Sequence, residues 1–146
     1  MRLWISLRLL LSALWSGLIL GLAFLETPLK FQAPGITTEI GLGLGRLVFI
    51  ALSIAGWVIL AALPAIAAAR PRETRTGLLL LGAMWVLMAV ESFLIRPALA
   101  ARSDIVIAGG DPGESFLHYG YIALELVLLA LLGWYFVHVT RRIRVD

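Results

Sequence analysis

Four long apolar stretches, separated by short charged segments, dominate the chain. Runs without Asp, Glu, Lys or Arg cover residues 9–25, 47–69, 76–90 and 126–140. A membrane-spanning helix needs about 20 mostly apolar residues, so the last two runs are too short by themselves. Together with the charges that flank each run, the pattern predicts a single domain of four helices, at about residues 5–27, 38–69, 76–99 and 115–140.

Lengthening the two short runs forces two carboxylates into apolar surroundings. Arginines precede the third run, so its helix must extend forward through Glu91 to about Ile95. Arginines follow the fourth run, so its helix must begin earlier and include Glu125 and Tyr121. A charged residue at the centre of a membrane helix costs roughly 2.5–3.5 kcal/mol. Such residues usually face the bundle interior with a partner, which is where we expect Glu91 and Glu125.

The composition is that of a membrane protein and not of a soluble domain. The 146 residues are 61% hydrophobic and 14% charged, with a mean hydropathy of +0.98, whereas soluble domains are about 45–50% apolar and about 25% charged. The chain has no cysteine, which excludes disulfides, thiolate metal sites and a thiol nucleophile. The net charge of +3 comes with arginines clustered at the ends of apolar runs. This placement indicates membrane orientation, with the lipid bilayer as partner, and not nucleic-acid binding.

The basic residues also predict a topology. Eight of the 12 Lys and Arg residues lie near the N-terminus, between the second and third helices, and at the C-terminus. The positive-inside rule places these three regions in the cytoplasm, so we expect a multi-pass protein of the inner membrane with both termini cytoplasmic. A secretory signal over residues 1–25 is the alternative. Its apolar run would be longer than the usual 7–15 residues, and we prefer the four-helix topology.

Small residues recur every four positions on two of the predicted helices. Ala13, Gly17 and Gly21 form one stripe, and Gly41 and Gly45 begin another. Such stripes allow membrane helices to approach closely. They predict helix contacts within the bundle, or contacts in a homo- or hetero-oligomer. Met84 and Met88 share a helix face with Glu91 and Ile95, and we interpret the methionines as packing residues.

Ionisable residues within the helices concentrate at one level. A rise of 1.5 Å per residue, counted from the cytoplasmic arginine of each helix, puts the glutamates roughly 24–27 Å up and the arginines and histidine roughly 31–36 Å up. All of them fall in the outer half. We therefore predict one outward-facing polar cluster, in which His118, Tyr121 and Glu125 share a helix face; its members are Glu26, Arg46, Glu91, Arg96, His118, Tyr121 and Glu125.

Glu26 has two interpretations. If the first helix continues past Pro28, Glu26 and Lys30 lie one turn apart on one face and pair locally. Alternatively, Glu26 pairs with Arg46 or Arg96 across the bundle, which we favour because four helices bring polar groups to this level. Arg46 is then the expected hub of the cluster, since its guanidinium can hold two carboxylates at once.

The cluster can serve two kinds of role. It can be an internal network that fixes helix register, or a pocket for a small cation, a proton or a polar headgroup. Carboxylates with an imidazole suit a hard or borderline metal, but two nearby arginines oppose one, so we assign neither metal nor cofactor. Motifs of metalloproteases, serine hydrolases, P-loop proteins and dinucleotide-binding enzymes are absent from the sequence, and we do not expect an enzyme.

The acidic loop SDIVIAGGDPGES carries strong turn residues in its second half. Its apolar segment Ile105-Val106-Ile107 is too short to span a membrane. We expect this segment to lie against the outer mouth as a lid or an interfacial segment, with Glu114 or Ser115 beginning the fourth helix.

Several short motifs resemble a known family. They are Trp15-x-Gly17, Pro28, Lys30-Phe31, Gly45-Arg46-x-x-Phe49, Pro97 and Phe116-Leu117-His118. Over roughly residues 10–134 the chain resembles the uncharacterised four-helix bacterial family grouped with vertebrate transmembrane protein 205. It is similar, more loosely, to the CopD copper-resistance membrane domain. The resemblance implies a bundle with an arginine and a histidine near the outer face, and no agreed reaction.

The sequence thus predicts an all-α integral membrane four-helix bundle without enzymatic activity. Its expected function is to bind a small cation or small molecule in an outward-facing polar pocket, for transport or resistance. The alternative is a structural or accessory subunit that binds a partner membrane protein through its small-residue stripes.

Overall fold

The structure is a computed structural model that describes residues 2–69 and 72–143. Over those residues it is all helical, and four helices are long and apolar enough to cross a membrane. Helices α2 and α4 are regular, whereas α1 and α3 each contain a π-helical part. The bounds are Arg2–Leu18, Ile19–Glu26 (π) and Thr27–Lys30 for α1, Thr38–Ala67 for α2, Arg75–Val90, Glu91–Ile95 (π) and Arg96–Ile107 for α3, and Leu117–Ile143 for α4.

Each π-helical part ends just before a proline, Pro28 in α1 and Pro97 in α3. Proline has no N–H to donate, and its ring clashes with the carbonyl four residues earlier. In α3 the amide of Arg96 donates to the Glu91 carbonyl, five residues back, so the wider turn accommodates the proline. Both helices therefore continue past their prolines, and α3 ends at Ile107 instead of the predicted 99.

Because α3 is longer than predicted, the loop between α3 and α4 is shorter than predicted. Ile105 and Ile107 belong to the last turn of α3, so their predicted place in a loop is wrong, and an interfacial position for them stays a prediction. The chain reverses after the helix, where Gly109 and Gly113 adopt left-handed φ values of 81° and 71°. Helix α4 begins at Leu117, slightly later than predicted, and its first amide donates to the Ser115 hydroxyl over 3.1 Å.

The bundle has two unlike ends. The closed end carries residues 68–69, residues 72–74 and the last turn of α4. The open end carries residues 31–37 and 108–116. The core fills the middle and the closed half with large buried side chains: Trp15, Ile19, Leu60, Leu63, Met84, Met88, Leu128, Leu132 and Tyr135. Met84 and Met88 are fully buried in this core, which confirms their interpretation as packing residues.

The two small-residue stripes have different surroundings. On α2, a Cβ on Gly41 would strike the Phe31 ring, and a Cβ on Gly45 would lie 2.7 Å from the Lys30 Nζ. These glycines therefore make room for side chains at the end of α1. On α1, Gly17 is exposed, and a Cβ there or on Gly21 would meet nothing within 4 Å. The α1 stripe is not used inside the bundle.

Candidate functional site

A cavity of about 660 Å³ lies between the four helices at the open end. This volume is within the range of roughly 300–1,000 Å³ that is usual for small-molecule sites. Its polar lining residues come from all four helices, and apolar side chains, mainly from α2, complete its wall. The polar lining residues are Thr27, Lys30, Arg46, Ser53, Ser92, Arg96, Ser103, His118 and Tyr121.

Lys30 reaches the cavity because α1 continues past Pro28. Its Nζ lies 3.4 Å from the Glu26 Oε2, one turn back on the same helix face, and its side chain is only 6% exposed. The ammonium also lies 5.6 Å and 5.9 Å from the ring centroids of Phe31 and Phe49. Glu26 therefore forms the local pair, and its favoured pairing with Arg46 or Arg96 is wrong.

Arg46 lies at the rim of the cavity. Its Nη2 donates to the Asp104 Oδ1 over 2.6 Å and to the Ala100 carbonyl over 3.0 Å. Both acceptors belong to the part of α3 that follows Pro97, which the sequence did not predict to be helical beyond about residue 99. Asp104 is 64% exposed. Arg46 is thus bound to an exposed acid at the rim, and its predicted role as the hub of Glu26 and Glu91 is wrong.

Arg96 occupies the position that was predicted for Arg46. Its Nη1 donates to the Phe49 carbonyl over 2.8 Å, and its Nη2 lies 3.6 Å from the Glu91 Oε2 and 3.9 Å from the Glu125 Oε1. The two carboxylate contacts are longer than direct hydrogen bonds. The side chains of Glu91 and Glu125 are buried, as the run lengths predict. Arg96 therefore separates this buried pair of carboxylates from the cavity.

Tyr121 and His118 complete the predicted helix face of α4. The Tyr121 hydroxyl donates to the Glu125 Oε1 over 2.5 Å, and its ring packs edge-on against Phe49 with centroids 5.3 Å apart. The exposed His118 lines the large cavity and also a smaller one, of about 290 Å³, between α1 and α4. Glu125 lines only the smaller cavity. All seven predicted residues thus lie at the open end, although their pairing differs from the prediction.

Positive and negative side chains occupy different positions around the large cavity. Lys30, Arg46 and Arg96 line it, and no Asp or Glu among the described residues does so. The carboxylates lie beside or behind these cations. The predicted site did not include Lys30, although its spacing of four residues from Glu26 was a usable signal. Within residues 2–69 and 72–143, no group of three His, Asp or Glu side chains is arranged to hold a metal ion.

A second ionic cluster, at the closed end, has Glu73 at its centre. The Glu73 side chain is 1% exposed, and Arg8, Tyr135 and Arg142 donate to its carboxylate over 3.2, 3.0 and 2.8 Å. The Thr74 amide adds a contact of 2.9 Å to Oε1. These contacts join α1, the connection between α2 and α3, and α4. We call Glu73, Arg8, Tyr135 and Arg142 the closed-end network.

The closed-end network also fixes its neighbours. His138 Nε2 lies 2.7 Å from the Thr74 Oγ1, which in turn accepts from the Gly77 amide and caps α3. Arg8 Nη2 donates to the Ile66 carbonyl over 3.0 Å. Burial alone would raise the pKa of Glu73, but the Thr74 amide, the Tyr135 hydroxyl and the two arginines outweigh burial and hold this pKa below its ordinary value.

The sequence does not reveal the closed-end network, because arginines near helix ends indicate the orientation of a membrane protein and not the partners of their side chains. Two signals pointed to it. Glu73 stands among arginines in the second loop, and Tyr135, His138 and Arg142 recur on one face of α4. Neither signal could show that Arg8, which is 65 residues away in sequence, would contact Glu73.

Comparisons of the chain with protein-family models, curated proteins and solved structures give no match. The resemblance to the family of transmembrane protein 205 stays a prediction.

Proposed function

We propose that this protein is a non-enzymatic, multi-pass protein of the inner membrane that binds a small molecule in its open-end cavity, for transport or resistance. One observation carries the proposal: a cavity of about 660 Å³, lined from all four helices, lies at one end of a bundle that is tightly packed at the other. Ionisable residues inside a membrane bundle are costly and usually mark functional sites, and Lys30, Arg46 and Arg96 line this cavity.

The arginine distribution indicates the direction of opening. The closed end carries the basic loop and the basic last turn of α4, which the positive-inside rule assigns to the cytoplasm. The cavity then faces the outer side. Lys30, Arg46 and Arg96 on its lining disfavour a small cation as the bound species, so we prefer a small molecule to the small cation that the sequence also allowed.

Thiol labelling of the purified protein tests whether the cavity admits a ligand. The chain has no cysteine, so the labelling of each variant reports only on the cysteine that was introduced. We expect Ser53→Cys and Ser92→Cys, both on the cavity lining, to react rapidly with a small polar thiol reagent in neutral detergent. Ser12→Cys, at a position 1% exposed in the closed half, is the matched control and should react slowly. Equal, slow reaction at all three positions would contradict an accessible cavity.

A second candidate function is that of an accessory subunit in a membrane complex. It is favoured by the stripe of Ala13, Gly17 and Gly21, where Ala13 and Gly17 are exposed and the bundle itself places nothing against the two glycines. Close packing against this stripe would bring α1 helices of two copies together. In that case Gly17→Cys should form disulfide-linked dimers in membranes, whereas a cysteine replacing the equally open Gly133 on α4 should not.

A further inference from the structure

The open-end cavity presents hydrogen-bond donors and apolar walls to the same ligand. Lys30 has three N–H donors, and its one hydrogen bond among the described residues is a long one to Glu26. Arg46 and Arg96 also line this cavity. Such donors are satisfied by an acceptor that carries negative charge. The polar part of a ligand that fits this cavity is therefore anionic.

The surrounding carboxylates limit how much negative charge the ligand can carry. Glu26 contacts Lys30, Asp104 contacts Arg46, and Glu91 and Glu125 lie behind Arg96. Three cations thus face four carboxylates. The three cations line the cavity and the four carboxylates do not, so one negative charge is attracted at short range, whereas a second charge would add repulsion from the carboxylates.

The apolar part of the ligand has a separate wall. Ile50 and Ile54 of α2 line the cavity and are 51% and 59% exposed, so the cavity is open on this side. Leu99 of α3 lines the same side. The cavity therefore reaches the apolar surface between α2 and α3, which in a membrane is in contact with lipid tails. A hydrocarbon chain can lie there while its headgroup contacts Lys30 and Arg96.

We propose that the open-end cavity binds an amphiphile with one hydrocarbon chain in the cleft between α2 and α3 and a headgroup with one negative charge, a carboxylate or a phosphodiester. This inference rests on the proposed function and names its ligand class. Lys30 and Arg96 contact the headgroup, and Ile50, Ile54 and Leu99 contact the chain. A free fatty acid and an anionic phospholipid share this chemistry.

Photolabelling tests the assignment. The probe is dodecanoate with a photoreactive diazirine at the end of its chain, added to the full chain in a neutral maltoside detergent at pH 8. We expect one saturable site, with the label mapped by mass spectrometry to Ile50, Ile54 or Leu99. Unlabelled dodecanoate should compete, and acetate and dodecyltrimethylammonium should not. Competition by phosphatidylglycerol, with phosphatidylcholine inactive, assigns the site to a bilayer lipid; competition by dodecanoate alone assigns it to a free acid.

Variants of Lys30 test the headgroup contact. Lys30→Met should weaken probe binding by about tenfold or more, because a charged hydrogen bond is lost, while Lys30→Arg should retain most of it. Arg102→Met is the matched control, since Arg102 is on α3 at the same end but donates to the Gly113 carbonyl away from the cavity lining. If Lys30→Met does not fold, Gly45→Ala serves instead, because its Cβ displaces the Lys30 Nζ.

Three results would overturn the proposal: unchanged affinity in both Lys30→Met and Gly45→Ala, competition by dodecyltrimethylammonium as strong as by dodecanoate, or labelling that spreads over the bundle without saturation. Each of these is distinguishable from failure of the proposed function. If the thiols at positions 53 and 92 react while the probe fails to bind, the cavity is open but its ligand belongs to another class.

Discussion

Two charged side chains each lie at the centre of a cluster of buried polar contacts, one cluster at each end of the bundle. Arg96 at the open end contacts Glu91 and Glu125, and Glu73 at the closed end receives three side-chain donors. By contrast, Arg46 pairs with an acid that is 64% exposed. Breaking a buried pair leaves a charge without compensation, whereas an exposed pair contributes little. Replacing Arg96 or Glu73 should therefore destabilise the bundle much more than replacing Arg46.

The first prediction compares Arg96 with Arg46. Arg96→Met should destabilise the bundle by roughly 3–5 kcal/mol, because Glu91 and Glu125 then remain buried without their cation. Arg46→Met should cost about 1 kcal/mol or less. Adding Glu91→Gln to Arg96→Met should recover part of the loss. Unfolding of all variants in one detergent measures these differences, and equal losses for Arg46→Met and Arg96→Met would contradict the assignment of Arg96 as the centre.

The second prediction concerns pH and Glu73. Because its pKa is held below the ordinary value of 4.5 in the folded protein, Glu73 contributes its full stabilisation above that pH and loses it as the pH falls through the folded pKa. Unfolding temperatures of wild type and Glu73→Gln should therefore differ most above pH 4.5 and converge under more acidic conditions. A difference that stays constant down to strongly acidic pH would show that Glu73 is not held ionised by the closed-end network.

At the scale of helices, the prolines and glycines decide where polar groups meet. The π-helical parts before Pro28 and Pro97 let α1 and α3 continue, which places Lys30 in the cavity and Asp104 beside Arg46. At the other end of α3, Gly77 leaves room for Glu73, since a Cβ there would overlap the carboxylate. Single backbone positions thus control which ion pairs can form.

The third prediction uses two glycines of α3. Alanine is a better helix former than glycine by about 1 kcal/mol, and a Cβ on Gly82 meets nothing within 4 Å. Gly82→Ala should therefore leave stability unchanged or raise it. Gly77→Ala should lower stability despite the same gain in propensity, because it displaces Glu73 from its donors. Unfolding of the two variants side by side measures the contrast, and stabilisation by both would show that Glu73 can move without cost.

Helix number and the burial of Glu91 and Glu125 followed from the lengths of the apolar runs, because a membrane span has a minimum length. The level of the polar cluster followed from the rise per residue. The pairing within it did not follow, since a one-dimensional height cannot show which helix faces which. The extension of α3 beyond Pro97 was missed for a local reason: a proline usually ends a helix, and the π-helical turn that accommodates it has no clear sequence signal.

For the molecule as a whole, the contrast between its two ends is the feature that the proposed function uses. A packed core and a buried ionic network close one end, and cations and hydroxyls surround a cavity at the other. An asymmetric bundle of this kind fits a protein that takes its ligand from one side of the membrane. The side of the membrane to which the cavity opens is therefore the central claim to test.

Thiol labelling of intact cells tests that claim most directly. Ser53→Cys lines the cavity, and Thr76→Cys lies at an exposed position near the closed end. A membrane-impermeant thiol reagent should label Ser53→Cys in intact cells and Thr76→Cys only after the membrane is permeabilised. Labelling of Thr76→Cys in intact cells, with Ser53→Cys protected until permeabilisation, would contradict an outward-facing cavity.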